Sequence, residues 1–419
     1  MEDEPADQFD ILSGTDITLS LGAISGYKLC DRCLGRLFSK KFRGREHAEI
    51  GKDIRGRQGL ASVADTECHI CRGLFRKLDD IAALPVGELK KWDYGNLWVG
   101  TRLEFGTRMR EDEILSKHVF TDAEPMKVEV NRELGKRLSA LTGKEGKMTN
   151  PDMLIIVDTA FRTFQLEPSP VYIYGRYRKL VRGIPQTKWP CRKCHGKGCS
   201  HCNYKGKMYD TSVEELIAQP VMVVYGGAEH FFHGMGREDI DAVMLGNGRP
   251  FILEISRPRK RTLDLGHITQ LINSSNQGRV EVADLRYSTR EEVRELKSAT
   301  PVKRYRITFR VLGKINKQLL SEVILKLSGT KLSQRTPIRV SHRRADLVRE
   351  RLVYSCSIVG VQDELVTLDV EAESGTYIKE MVTGDEGRTV PSVAQGLGEP
   401  CEVVSLDVSE VSTGAEEKW

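Results

Sequence analysis

No stretch of the 419 residues comes near the roughly 18 consecutive apolar side chains of a membrane-spanning helix. Membrane insertion is therefore not expected. The composition, 39% hydrophobic and 29% charged, is that of a globular protein. Repeats of solenoid length and low-complexity tracts are missing as well, which excludes stacked-repeat and compositionally disordered architectures. The first ten residues, MEDEPADQFD, hold five acids and no base. This is the reverse of the basic start of a secretory signal, so the expected location is the cytoplasm. A large charge excess is lacking too: 64 lysines and arginines against 59 acids leave +5, too little to imply a polyanionic partner by itself. At this length two or three domains are expected, with a frayed tail from Gly414 to Trp419.

Acids are absent between Pro168 and Tyr209, where ten lysines and arginines occur from Arg176 to Lys207. Tyr172, Tyr174, Tyr177, Trp189 and Tyr204 are interleaved with them. Such a mixture can meet phosphates with charge and unstacked bases with rings. Two more basic clusters are Arg257-Pro258-Arg259-Lys260-Arg261 and the stretch Arg335–Arg351, which includes Arg339, Arg343, Arg344 and Arg349. Each alone is most simply a solvated face, but three together point toward nucleic acid.

Eight of the ten cysteines form four C-x-x-C pairs: Cys30/Cys33, Cys68/Cys71, Cys191/Cys194 and Cys199/Cys202. In a cytosolic chain this spacing favours metal thiolates over disulfides, because two sulfurs on a tight turn can fill neighbouring corners of a tetrahedron. The first two pairs lie farther apart than in a usual zinc ribbon but can close on one ion. The last two share CRKCHGKGCSHC, where Gly196 and Gly198 let the link double back. Four sulfurs leave no open coordination position, so the expected cofactor is structural zinc, one or two ions, without an organic cofactor. His69, His195 and His201 are near enough to substitute as ligands. A redox C-x-x-C would open a helix after a strand, a context these segments lack. Cys356 and Cys401 read as small core residues.

The domain expectation is a zinc-binding module over 1–75, around GRLFSKKFRGRE, an α+β accessory domain over 76–185, a four-cysteine knuckle and linker over 186–210, and a second large domain over 211–419. Met153–Val157 reads as a buried strand, and Ser212 with Glu215 as a capping box that opens a helix. Farther on, β-branched runs at 221–224, 250–255, 305–311, 353–359 and 365–370 read as strands. Helical segments at 289–296 and 318–327 separate them without a strict βαβ rhythm. The fold class expected is α+β, with a mixed, largely antiparallel sheet and flanking helices.

The loop Gly236-Arg237-Glu238-Asp239-Ile240-Asp241 places an aspartate on a glycine-flanked turn beside an arginine, which would keep the carboxylate ionised and able to act as a nucleophile. Taken alone, G-R-x-D is more simply a surface turn with a salt bridge. The wider sequence favours the functional reading. YGRYRKLVRGIPQTKWPCRKC, GREDIDAVMLGNGRPFILEI, KRYRITFRV, RTPIRVSHRRADLVRERLVY and SGTYIKEMVTGDEGRTVPSV occur in that order. Together they resemble the archaeal-type tRNA pseudouridine synthase family that converts uridines 54 and 55 of the TΨC arm.

The resemblance implies a pseudouridine synthase-type catalytic domain and an N-terminal THUMP-like RNA-binding domain with zinc. It implies Asp239 as catalytic nucleophile with Arg237 beside it, and Tyr305 stacked on the target base. Tyr377 would be a substrate contact, Ile378 an apolar wall and Lys379 the basic partner of the aspartate, all on a second strand lining the pocket. Leu406 would supply a late apolar contact. The partner implied is tRNA, with no membrane and no obligatory protein partner. One departure stands out: family members usually carry an arginine two positions after Asp241, where this chain has Val243 after Ala242. A non-catalytic zinc-bearing RNA-binding scaffold is the rival reading. A DnaJ-like accessory explains only the knuckle.

Overall fold

The computed structural model describes residues 15–42, 44–117 and 120–412; the acid-rich start, Arg43 and the tail from Gly414 lie outside them. The chain divides into two units, Met1–Ser169 and Pro170–Trp419. In the first, β1 (Asn96–Arg102), β2 (Glu145–Gly146), β3 (Met153–Asp158) and β4 (Thr163–Pro168) form a sheet in the order β2-β1-β3-β4. β1 is parallel to both β2 and β3, whereas β3 and β4 are antiparallel. Parallel neighbours need a crossover, which contains the helices Phe105–Leu115 and Met126–Thr142. The second helix buries Val130, Leu134 and Leu138 at four-residue spacing, one face of a helix. Before the sheet, the helices Asp31–Arg36 and His47–Arg57 touch backbone to backbone. A Cβ on Gly35 would lie 1.8 Å from the His47 carbonyl oxygen, so only glycine permits the approach. That crossing puts Cys30 and Cys33 in one core with Cys68, Cys71, Ile50, Ile54 and Ile70.

The second unit is built on a ten-stranded sheet. Its strands are β5 (Val171–Lys179), β6 (Glu229–Gly234), β7 (Val243–Ser256), β8 (Val280–Ser288), β9 (Val302–Val311), β10 (Lys331–Arg335), β11 (Val348–Gln362), β12 (Leu365–Ala372), β13 (Thr389–Val390) and β14 (Cys401–Ser412). The order is β13-β10-β11-β12-β9-β14-β7-β5-β8, with β6 pairing on β7. β14 and β7 are parallel, and the other pairs are antiparallel. This is the mixed, largely antiparallel α+β architecture expected. β9 shows why it forms: Lys303, Tyr305, Ile307, Phe309 and Val311 are buried, while Arg304, Arg306 and Arg310 between them are exposed.

Several sequence expectations need correction. Residues 221–224 are not a strand but the end of the helix Val213–Tyr225, opened by Ser212, whose Oγ accepts from the Glu215 amide. Helical period decides it: Val213, Ile217, Val221 and Tyr225 face the core, whereas Val223 is exposed. The TYIKE segment is likewise not a strand; Tyr377 caps the short helix Ile378–Thr383. β5, assigned above to the accessory domain, pairs with β7 and β8, so the break between units falls after Ser169 rather than near 185. Two of the interleaved aromatics, Tyr174 and Tyr177, are core residues, as is Lys179. They cannot meet an RNA.

Candidate active site

The Gly236–Asp241 turn joins β6 to β7, and Gly236 adopts φ +69°, a left-handed conformation that favours glycine. Anchors from below fix the turn. Gln186 Nε2 donates to the Gly236 carbonyl at 2.9 Å. Lys179 Nζ donates to the carbonyls of Asp239 (3.2 Å), Ile240 (3.1 Å) and Ile184 (3.0 Å). Burial lowers the pKa of this lysine, with nearby Glu238 opposing. The Glu238 side chain is turned inward, where it accepts from Tyr177 Oη (2.8 Å) and Arg249 Nε (2.9 Å). Arg249 also donates to the Met235 carbonyl at 2.8 Å. Burial disfavours the Arg249 charge, but Glu238, with Tyr177 and Tyr305 adding to it, raises the pKa on balance.

With Glu238 turned inward, Asp239 is presented to a pocket. Arg339 Nη1 lies 3.0 Å from Asp239 Oδ2, and Lys379 Nζ lies 3.6 Å from the same oxygen. Lys379 is closer still to Asp241, at 2.6 Å. Burial opposes ionisation of Asp241, but the hydrogen bond and charge of Lys379, with Arg339 adding to them, together lower the pKa. Arg339 also donates through Nε to Glu380 at 2.6 Å. Although burial works against the Arg339 charge, Glu380 and then Asp239 raise its pKa.

Every catalytic or substrate-contact residue expected from the sequence lies round this one pocket: Asp239, Arg237, Tyr305, Tyr377, Ile378, Lys379 and Leu406. Tyr305 and Leu406 come from the adjacent strands β9 and β14, where Leu406 sits opposite Ile307. Burial raises the Tyr305 hydroxyl to about 12, so at neutral pH the ring is uncharged. Arg237 is exposed, with its guanidinium 5.8 Å from the Trp189 ring centroid. Tyr377 accepts from Arg344 Nη1 at 3.0 Å. Val243, where an arginine was expected, is buried opposite Asp407.

Arg339, Glu380, Arg249 and Lys303 also belong to this site but were not singled out in the sequence. Arg339 and Arg344 were visible only as members of a basic run, whose outward reading hid their inward direction. Lys303 stands two residues before Tyr305 on the same face of β9, a relation that strand periodicity could have revealed.

The two four-cysteine clusters fit a metal on geometry. Within each, all sulfurs lie within 4.8 Å of one another. A tetrahedron with Zn–S of about 2.3 Å has sulfur–sulfur edges of about 3.8 Å. Cys30–Cys71 is 3.7 Å, Cys191–Cys199 3.9 Å, and Cys194–Cys202 3.8 Å. Backbone amides of Gly198 and Gly206 donate to Cys194 and Cys202, which suits thiolates. His47, Glu124 and Glu129 also converge, but Arg32 (2.9 Å) and Arg36 (3.5 Å) already neutralise Glu129.

Comparison with known proteins gives the class first. Residues 172–412 match the family model "Pus10, C-terminal", and residues 82–158 match "Pus10 THUMP domain, archaeal". The tRNA pseudouridine synthase Pus10 of Methanothermobacter marburgensis is 45% identical over 400 residues, covering 94% of this chain and 97% of its own. That of Archaeoglobus fulgidus is 40% identical over 361 residues, covering 86% and 99%. The chain belongs to the Pus10 family of tRNA pseudouridine synthases. Among solved structures, a chain of a Cbf5-Nop10-Gar1 complex aligns over 49% of this chain and 47% of its own at 15% identity and a TM-score of 0.32, too partial to carry an argument.

Proposed function

We propose that this protein isomerises uridine 54, uridine 55 or both in the TΨC arm of tRNA, with Asp239 as nucleophile. The observation that carries the reading is the Asp239 carboxylate held by Arg339 and Lys379 at the mouth of a pocket that also contains Tyr305. The uracil N1–C1′ bond breaks, the base turns in place, and C5 joins C1′. Asp239 either bonds covalently to the substrate or removes the 2′ proton to give a glycal. Tyr305 stacks on the everted base, with Ile378 and Leu406 as apolar walls that exclude water. Eversion costs on the order of a few kcal/mol, which contacts to the RNA backbone offset. Arg237, exposed at the rim, and Tyr377 with Arg344 are suited to those contacts.

The THUMP domain recognises tRNA by shape and phosphate geometry. The clusters Cys30/Cys33/Cys68/Cys71 and Cys191/Cys194/Cys199/Cys202 each hold one structural zinc; the first ties two distant segments together, the second closes a short knuckle, and neither takes part in the reaction. A cytoplasmic location fits this substrate. No helix among the described residues is long and apolar enough to cross a membrane.

Carbodiimide-adduct primer extension on an unmodified tRNA transcript tests the reading. Stops at 54, 55 or both with wild-type enzyme, absent with Asp239→Ala, support it. Binding of tRNA without stops favours the scaffold reading.

A further inference from the structure

Lys303 lines the same pocket as Asp239 and Tyr305, yet only 5% of it is exposed. Among the described residues its ammonium group has no hydrogen-bond or ion-pair partner. The carboxylates around it are engaged elsewhere: Glu238 by Arg249 and Tyr177, and Asp239 by Arg339 and Lys379. Its position is nevertheless fixed. A Cβ built on Gly236 would lie 3.3 Å from Lys303 Nζ and 3.5 Å from Arg249 Nη1, so the amine sits directly beneath the turn that presents Asp239.

Lys303 is almost wholly buried and what surface it keeps faces the pocket. A charged amine here is costly to the folded protein unless something in the pocket supplies an acceptor. In this pocket the missing acceptor is chemically specific. When N1–C1′ breaks, its electron pair stays on the uracil, which becomes an anion with charge spread over N1 and the two carbonyl oxygens. C1′ passes to the Asp239 carboxylate or, after loss of the 2′ proton, to a glycal. When C5 then bonds to C1′, the bond to Asp239 breaks or, on the glycal route, the 2′ proton returns to C2′; the C5 proton is lost and N1 regains one, so base and sugar are isomerised without net change.

We infer that Lys303 is a further catalytic residue, which donates a hydrogen bond to a carbonyl oxygen of the detached uracil and balances its charge until C5 attacks. This rests on the isomerase reading above. The amine is poised for it. Burial first, and then the Arg249 charge, bring its pKa down to about 7, with Glu238 opposing, so an arriving anion can draw it fully into the charged form. The interaction is made with the charge that develops during reaction and not with the neutral base, so it should accelerate the chemistry without tightening tRNA binding.

The test compares full-length wild type, Lys303→Met and Asp239→Ala on unmodified tRNA transcript, by single-turnover rates from pH 6 to 9 and by tRNA affinity. Methionine keeps the length and apolar character of the buried stem and removes the amine, and a melting curve verifies folding. The expected result is a rate loss of about 100-fold for Lys303→Met, with tRNA affinity within about threefold of wild type. The decline in wild-type rate above pH 7 should be absent in this variant. An unchanged rate, or a lower rate with the alkaline decline intact, overturns the inference. Lack of product with wild-type enzyme instead defeats the isomerase reading itself.

Discussion

Arg339 holds Asp239 and Glu380 with one guanidinium, Nη1 lying 3.0 Å from Asp239 Oδ2 and Nε 2.6 Å from Glu380 Oε1. Glu380 is buried in the helix Ile378–Thr383, so the arginine has a rigid support on one side and the proposed nucleophile, Asp239, on the other. Its task in this geometry is to aim Asp239.

Loss of that aim should cost rate more than binding. Arg339→Met is expected to slow single-turnover conversion by about 100-fold, while tRNA affinity changes little. Arg339→Lys should fall between, because an ammonium cannot match the planar fork across two carboxylates. Single-turnover rates within threefold of wild type for the methionine variant would remove Arg339 from the mechanism.

The pair beneath the turn is structural. Arg249 and Glu238 are both buried and 2.9 Å apart, so Glu238→Gln strands a buried guanidinium, at a cost of about 3–5 kcal/mol in urea unfolding. The exposed pair Arg304–Glu410 provides the contrast, and Glu410→Gln should cost no more than about 1 kcal/mol. Equal effects would mean that the buried pair does not anchor the turn.

Lys303 also carries a pH signature in stability. Its amine titrates near 7 in the folded state and near 10.4 when unfolded. Between those values the unfolded chain binds the extra proton, so this residue makes stability rise with pH, by up to about 1.4 kcal/mol per unit. Below pH 7 the penalty is complete, and above about 10.4 it vanishes. Lys303→Met should therefore melt higher than wild type at pH 7, and the two should converge toward pH 10. Parallel melting curves across that range would contradict the burial described.

Metal analysis addresses the cysteine clusters separately. The purified protein should hold two zinc ions, one for each cluster. Cys68→Ser and Cys199→Ser should each lose one ion. Because Cys68 lies in the core of the first unit, its loss should also lower the melting temperature. Zinc-free protein with unchanged melting would exclude a structural metal.

Much of this was legible in the sequence because local pattern and tertiary outcome agree. β9 alternates as its residues dictate, and Ser212 starts its helix as the cap predicts. Failures came where one signal masked another. β-branched side chains at 221–224 suggested a strand, but a cap upstream and a core face at helical spacing prevailed. Lys179 and Tyr177 looked like parts of a basic, aromatic RNA surface, and only the pairing of β5 inside the sheet turns them inward. The contact of Arg339 with Asp239 spans about a hundred residues of sequence, a distance no local pattern encodes.

The central claim is that Asp239 drives isomerisation at uridine 54, 55 or both. It is tested most directly by tritium release from tRNA transcripts labelled at C5 of uridine, with uridine 54, uridine 55 or both replaced by cytidine, using wild-type enzyme and Asp239→Asn. Replacement of the aspartate by its neutral isostere should abolish release, and transcripts lacking both uridines should release none with either enzyme. Release that persists with Asp239→Asn, or that survives loss of both uridines, would contradict the account.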